Sequence, residues 1–146
     1  MDGEFKLDPR IAADSVALCQ LPLCRLRLMN DSRFPWLILI PARPNLREIH
    51  AVEAVGRQIL MGEIALVSAA LQRVTGAEKM NIGALGNLVP QLHIHVVARF
   101  ARDAAWPGPV WGFGSAEPYH SDSLHALKDK LLLEIDQVAP PQNRHS

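Results

Sequence analysis

The sequence predicts an α+β domain, in which an antiparallel sheet is covered by one long helix and joined by a C-terminal helix. Two observations support this class. Several short segments have the apolar patterns of strands, and one long stretch repeats its apolar residues at three- and four-residue steps. A chain of 146 residues also has the size of a single domain and can bury a sizeable core.

Four segments have strand patterns, at residues 21–29, 36–40, 79–85 and 91–100. The first alternates, so its apolar side chains face a core while Arg25 and Arg27 face solvent or a ligand. The second is continuously apolar and ends at Pro41, which cannot donate to a sheet ladder. The last two are joined by a hairpin-type loop over residues 86–90, where glycine, asparagine and proline favour a turn.

Two helices are predicted, over residues 51–74 and 122–138, each with an apolar stripe. Gly76 follows the first helix as a C-terminal capping residue. The predicted organisation is one domain in three parts: a polar lead-in, a core, and an irregular Trp/Pro/Gly-rich segment with the C-terminal helix. These parts cover residues 1–20, 21–100 and 101–146, and the tail after the last helix is expected to be frayed.

Composition excludes several classes of protein. Fifteen Lys and Arg balance fifteen Asp and Glu, so the chain has no broad basic field for gripping nucleic acid. Two cysteines, Cys19 and Cys24, are too few for a disulfide scaffold. The N-terminus has no apolar run typical of a signal peptide. No apolar stretch approaches the ~20 residues that span a bilayer. We therefore expect a cytoplasmic protein with no membrane partner.

The most informative segment is the run Gln91-Leu92-His93-Ile94-His95. On a strand, Gln91, His93 and His95 project from one face, with about 7 Å between successive side chains. The residues between them are aliphatic and face the core. Three polar side chains in a row are costly for a structural strand, although an exposed histidine pair on an outer face is the simplest alternative.

Two chemical interpretations of the histidine pair remain open. The pair could bind a metal ion, with a third ligand from a carboxylate or from His50, His120 or His125. Alternatively, one imidazole could attack phosphorus while the other donates to phosphoryl oxygens or to a leaving group.

The run Q-L-H-I-H-V-V resembles the H-φ-H-φ-H-φ-φ signature of the histidine triad (HIT) superfamily of nucleotide hydrolases and transferases. The similarity extends over residues 20–100: Asn30-Asp31 precedes an apolar strand ending Ile40-Pro41, and Gly86-Asn87 precedes the motif. The Trp/Pro/Gly-rich segment after the motif resembles the tail of a bacterial subgroup. The resemblance implies an antiparallel sheet with a long helix, and a homodimer.

The resemblance also implies roles for individual residues. His93 matches the histidine that attacks the α-phosphorus and forms a nucleotidyl-histidine intermediate, and His95 matches the one that contacts phosphate oxygens. Asp31 lies near the family's acidic residue that binds the ribose hydroxyls. Asn81 and Asn87 match amides that contact phosphate or the leaving group.

This sequence departs from the family pattern at three positions. Gln91 replaces the first histidine of the triad, so it cannot titrate but can still form hydrogen bonds. Trp36 occupies the position of an upstream histidine and could instead form an aromatic wall for the base. Leu88 falls near a polar position that assists leaving-group departure. Of the residues after the motif, Arg99 and Arg102 are further candidates to reach phosphate. Trp106, Trp111 and Phe113 are expected to pack the irregular segment.

The predicted function is therefore a nucleotide-binding hydrolase or transferase that acts at the α-phosphate of a nucleotide conjugate through His93. Nucleoside phosphoramidates, adenylylated conjugates and dinucleoside polyphosphates are the candidate substrates, and the scheme requires no metal or other cofactor. A non-catalytic nucleotide-binding or sensing protein is the alternative, since Gln91 and Trp36 replace histidines. A metal-dependent protein built on His93 and His95 is the third.

Overall fold

The structure, a computed structural model, describes residues 3–138. Its elements are α1 (Pro9–Asp14), β1 (Ser15–Gln20), β2 (Cys24–Met29), β3 (Trp36–Pro41), a 3-10 turn (Ile49–Ala51), α2 (Ala54–Thr75), β4 (Lys79–Gly83), β5 (Ile94–Arg99) and α3 (Ser121–Val138). The five strands form one antiparallel sheet in the order β1-β2-β3-β5-β4, which confirms the α+β class. The tail predicted to be frayed, residues 139–146, lies outside the described residues.

The segment predicted as a lead-in, residues 1–20, contains helix α1 and the edge strand β1. Asp8 caps α1, because its side chain accepts a hydrogen bond from the backbone N–H of Arg10 at 2.8 Å. Strand β1 lacks a period-two pattern because its register against β2 shifts in the middle. Its two buried residues, Ser15 and Leu18, are therefore three positions apart.

Helix α2 begins three residues later than predicted and ends one residue later, at Thr75. The predicted cap is confirmed: Gly76 has φ 70°, and its N–H donates to the carbonyl of Gln72 at 2.8 Å. Among the described residues, α2 is the helix whose length and mean hydropathy of 1.4 would suffice to cross a membrane. Seven of its residues are buried, which is typical of the core helix of a globular domain.

The sheet is covered on both faces. On one face α2 and α3 pack against alternate strand residues, which include Leu26, Leu28, Leu37, Leu39, Ile94 and Val96. On the other face a second apolar cluster consists of Ile11, Phe34, Trp36, Ile38, Ile40, Val97 and Val110. The irregular segment after β5 contributes to this second cluster, so the central strands β3 and β5 are buried throughout.

Glu63, a buried acidic residue of α2, ties the helix to one end of the sheet. Residues 21–23, predicted as the start of a strand, form a turn in which the N–H of Leu21 donates to the carbonyl of Cys24 at 2.8 Å. The carboxylate of Glu63 accepts the backbone N–H groups of Leu23 at 2.8 Å and Cys24 at 2.9 Å. These two N–H groups donate to no carbonyl of a neighbouring strand, so the Glu63 carboxylate takes the place of the missing sheet hydrogen bonds.

Replacing Glu63 with Ala should lower the free energy of unfolding by roughly 2–4 kcal/mol, because two buried N–H groups lose their acceptor. Urea denaturation measures the change. The matched control is Glu78→Ala, which removes a carboxylate that accepts a backbone N–H, that of Ala101, at an exposed site. A Glu63→Ala variant no less stable than Glu78→Ala would contradict this role.

Candidate active site

The histidine motif does not lie wholly on a strand. The strand predicted over residues 91–100 begins at Ile94, three residues later than predicted. Strand β4 ends at Gly83, two residues earlier than predicted. The ladder stops here because β3 ends in a proline and the last β4–β5 pair is Gly83 with His95. Consequently His95 is a strand residue, whereas Gln91 and His93 lie in the loop that precedes β5.

His93 has a defined tautomer. Its Nδ1 lies 2.6 Å from the backbone carbonyl oxygen of Gln91. A carbonyl can only accept, so Nδ1 carries the proton and, in the neutral ring, Nε2 keeps a lone pair. The side chain is half-buried. The other ring nitrogen, Nε2, can therefore act as a nucleophile.

His95 has the opposite tautomer. Its Nδ1 accepts the indole N–H of Trp36 at 3.0 Å, so the neutral ring carries its proton on Nε2. The side chain is buried, with 6% exposed. Burial, with a smaller contribution from the charge of His93, lowers the pKa of His95 to about 4. His95 therefore stays neutral near pH 7 and offers an Nε2–H donor.

The rings of His93 and His95 are neighbours, with centroids 4.9 Å apart in an edge-to-face arrangement. One presents a lone pair and the other an N–H, so the two rings are chemically complementary. A phosphoryl group between them could bond to the first nitrogen while its oxygens accept from the second.

Two tryptophans enclose His95. The centroid of Trp36 lies 5.5 Å from the His95 ring, and that of Trp111 lies 5.6 Å from it. Trp111 also packs beside Gly83, which lies opposite His95 on β4: a Cβ at Gly83 would be in van der Waals contact with the Trp111 Cη2 atom at 3.4 Å. The irregular segment was expected only to pack around its tryptophans. In the structure Trp111 also contacts the candidate catalytic ring.

Asp31 and Trp36 line one cavity of about 360 Å³, together with Phe113 from the irregular segment. Asp31 is buried, and its carboxylate pairs with the Arg33 guanidinium at 2.8 Å and accepts the N–H of Glu117 at 3.3 Å. Burial alone would raise the pKa of Asp31, but these hydrogen bonds lower it. Asp31 therefore faces the cavity as a carboxylate and also anchors the segment that covers it.

Asn81 does not lie free beside the histidines. Its Oδ1 accepts from Arg99 at 2.7 Å, and Arg99 also forms an ion pair with Asp103 at 2.8 Å. Arg99 is 1% exposed, and its guanidinium is paired with partners inside the protein. The suggestion that it reaches a ligand phosphate is therefore wrong. These contacts tie β4 to the turn after β5, and the NH₂ group of Asn81 remains available.

A second cavity, of about 150 Å³, contains His93 and Gln91 in its wall, together with Arg47 and His50. Sequence spacing gave no reason to place His50 near the motif, but the chain after β3 brings it there. Asn87 is exposed and lines an adjoining cavity of about 290 Å³ with Arg47. Asn87 thus lines a cavity whose wall includes neither His93 nor His95.

Among residues 3–138, the histidine pair has no third side chain arranged with it to bind a metal. His120 and His125 lie at the beginning of α3 and are exposed. Within residues 3–138 no group of three or more His, Cys, Asp and Glu side chains is arranged to hold a metal ion. Burial raises the pKa of both Cys19 and Cys24, so both thiols are protonated near pH 7.

Comparison with known proteins identifies the family. The model of the HIT domain matches residues 10–102 of the chain. The chain belongs to the histidine triad family. A search of the curated proteins finds no match to this HIT chain. The family match begins within the segment that the sequence pattern assigned to a lead-in.

Solved structures of bacterial histidine triad proteins resemble this HIT protein closely. The protein from Sinorhizobium meliloti is 47% identical, with a TM-score of 0.88 over 89% of this chain and 96% of the other. That from Marinobacter aquaeolei is 42% identical, with a TM-score of 0.90 over 94% and 100%. That from Bradyrhizobium japonicum is 40% identical, with a TM-score of 0.89 over 90% and 98%.

Replacing Trp36 with Phe should release the tautomer of His95, because the phenyl ring keeps an aromatic contact but donates no hydrogen bond. Nitrogen-15 NMR of the imidazole reports the proton on each ring nitrogen. In wild type, His95 should remain an Nε2–H tautomer and take up no proton until the pH falls toward its pKa of about 4. The variant should show both tautomers.

The control is Trp106→Phe, at a tryptophan that packs against Arg99 outside this ring cluster. It should leave the His95 signals unchanged. A wild-type His95 that titrates near 6.5, the ordinary value for histidine, would contradict the assignment.

Proposed function

We propose that this HIT protein is a nucleotide hydrolase or nucleotidyl transferase that acts at the α-phosphate through His93. The observation that carries the proposal is the pair of opposite tautomers. His93 presents a lone pair on Nε2, and His95, 4.9 Å away between ring centroids, presents Nε2–H. A nucleophile and a neutral donor side by side suit attack on phosphorus.

The proposed reaction has two steps. In the first, Nε2 of His93 forms a bond to the α-phosphorus, and the bond to the leaving group breaks with its electron pair, which takes up a proton from solvent. The Nε2–H of His95 donates to a phosphoryl oxygen. In the second step, water attacks phosphorus and loses a proton to solvent, while the P–N bond breaks, returns its electron pair to Nε2 of His93 and releases the nucleoside monophosphate. A transferase would use another acceptor in place of water.

The nucleoside is proposed to occupy the 360 Å³ cavity lined by Asp31, Trp36 and Phe113. The aromatic side chains offer stacking surface for a base. Asp31 Oδ1 accepts three hydrogen bonds, two from Arg33 and one from Glu117, whereas Oδ2 accepts only one, from Arg33. A carboxylate oxygen has two lone pairs, so Oδ2 can still accept a ribose hydroxyl.

We also propose that the protein is soluble and cytoplasmic and that its chemistry needs no cofactor. The balanced charge of the chain supports a small-molecule partner rather than a nucleic acid. The available NH₂ of Asn81 and the exposed amide of Asn87 are proposed to contact the phosphate and the leaving group respectively. A non-catalytic nucleotide sensor is the alternative, because Gln91 cannot act as an acid or base.

His93→Ala should abolish covalent nucleotidylation and lower turnover by at least ~10³-fold, because no other group supplies the nucleophile. Brief incubation with an adenosine phosphoramidate, acid quenching and intact-protein mass spectrometry should trap an adenylate on wild type only. His50→Ala is the matched control, since it removes a second histidine from the wall of the same cavity. Its adenylate should persist.

Calorimetry with AMP separates the two candidate functions. Binding of AMP together with His93-dependent turnover supports the enzyme. Binding without turnover of a phosphoramidate, an adenylylated conjugate or a dinucleoside polyphosphate would favour the sensor and overturn the catalytic proposal.

A homodimer is also proposed. Strand β4 is an edge strand with an exposed side chain, Ile82, which is 49% exposed. Helix α2 exposes Val55, Ile59 and Met61, at 66%, 40% and 63%. An open strand edge and exposed apolar side chains are both features that a second copy can cover.

Light scattering at micromolar concentration should give a mass about twice the 16.1 kDa of the chain. Ile59→Lys should shift the mass toward that of a monomer, because it buries a charge in the shared surface. The control is Leu133→Lys, at an exposed leucine of α3. A monomeric wild type would contradict the proposed dimer.

A further inference from the structure

Gln91, which replaces the first histidine of the family motif, makes two hydrogen bonds that connect distant parts of the chain. Its Oε1 accepts the backbone N–H of Asp8, and its Nε2 donates to the carbonyl of Lys6, both at 2.8 Å. The partners belong to the N-terminal arm, residues 3–8, more than eighty positions away in the sequence. One carboxamide therefore holds the arm against the loop that carries His93.

The loop that carries Gln91 and His93 depends on contacts with the arm, because sheet hydrogen bonds do not fix it. Strand β5 begins at Ile94, so neither Gln91 nor His93 takes part in the ladder. The peptide unit between residues 91 and 92 is fixed at two points instead. Its N–H donates to the carbonyl of Leu46 at 2.9 Å, and its carbonyl accepts the Nδ1–H of His93 at 2.6 Å. A shift of this one peptide would release the tautomer of the candidate nucleophile.

The arm is itself anchored on both sides. Phe5 and Leu7 pack against the second apolar cluster, and the Arg25 guanidinium lies 5.3 Å from the centre of the Phe5 ring. Arg10, just after the arm, donates to the carbonyl of Leu88 in the same loop at 2.9 Å. The arm is thus held in place by its own contacts, and Gln91 is fixed by its hydrogen bonds to the arm.

Electrostatics agrees with this proximity. Hydrogen bonds from Arg10 lower the pKa of Asp8, and the charge of His93 lowers it further to a smaller extent. Asp8 thus interacts electrostatically with His93 and also caps α1. The end of the arm is connected to the loop of the candidate nucleophile through the Gln91 side chain.

We infer that Gln91 is a positioning residue for His93, and that restoring the family's histidine at this position lowers the activity of this protein. A carboxamide presents a donor and an acceptor side by side on one edge, which matches the C=O of Lys6 and the N–H of Asp8. The two nitrogens of an imidazole point in diverging directions. A histidine here would therefore lose at least one contact with the arm and free the peptide that orients His93.

The inference rests on the proposed function for its kinetic readout, so the experiment includes two readouts that do not. Gln91→His and Gln91→Ala should each lower kcat for adenosine phosphoramidate roughly 10- to 100-fold with little change in KM, because the nucleophile is displaced while the nucleoside cavity is intact. Gln91→Glu should be intermediate, because a carboxylate still accepts from Asp8 but cannot donate to Lys6.

The first independent readout is nitrogen-15 NMR of the His93 ring, which should change from one tautomer to a mixture in Gln91→His and Gln91→Ala. The second is hydrogen exchange of the Asp8 amide, which should quicken in both. Gln72→Ala is the matched control: it removes a glutamine whose side chain donates to the carbonyl of Ala77 at the far end of α2. It should alter none of the three measurements.

The outcomes separate the two proposals. A Gln91→His protein as active as wild type, or more active, overturns the inference, as do an unchanged His93 tautomer and Asp8 exchange in Gln91→Ala. If wild type forms no His93-dependent adenylate, the proposed function fails, and the tautomer and exchange measurements still decide whether Gln91 positions the ring.

Discussion

The burial of an imidazole in the central strand governs the arrangement of the site. Strand β5 pairs on both sides and is covered on both faces, so the His95 side chain is only 6% exposed and its Nδ1 is satisfied inside the protein. A buried polar atom without a partner is costly, and the indole N–H of Trp36 removes that cost at Nδ1. The remaining nitrogen, Nε2, is then the donor that chemistry can use.

Two other features of the fold bring aromatic side chains to His95. Trp36 stands at the start of β3, so its side chain reaches His95 across the pair of strands. The segment after β5 supplies Trp111 to the same rings, and the turn around Asp31 and Arg33 holds that segment in place through Glu117 and Phe113. The substitution of Trp36 for a histidine is therefore compatible with an ordered site.

The contrast between the two histidines explains why one chain can present opposite tautomers 4.9 Å apart. His95 is held by side-chain burial inside the ladder, where its pKa falls to about 4. His93 is held by a backbone carbonyl outside the ladder, in a loop that depends on contacts from the N-terminal arm. A periodic sheet alone would give both residues the same environment.

Much of the site could be predicted from the sequence. The spacing of His93 and His95, with aliphatic residues between them, is a local property and identified the pair as the candidate site. The resemblance to the histidine triad signature then favoured phosphate chemistry over a metal site. The resemblance also implied roles for Asp31 and Trp36, and the structure places both in the wall of one cavity. Asn81 and Arg99 could not be understood this way, since their mutual hydrogen bond depends on the pairing of β4 with β5.

The sequence by itself determined the α+β class and the long helix with its glycine cap, because periodicity and turn chemistry act over neighbouring positions. It also contained the short motif whose resemblance to the histidine triad signature implied the two candidate catalytic residues. Only the tertiary structure decided where β5 begins, which proton each imidazole carries, and what Gln91 does. These three features depend on where the strands paired with β5 end and on hydrogen bonds from the distant N-terminal arm. No local pattern encodes such contacts, because they exist only after the chain has packed.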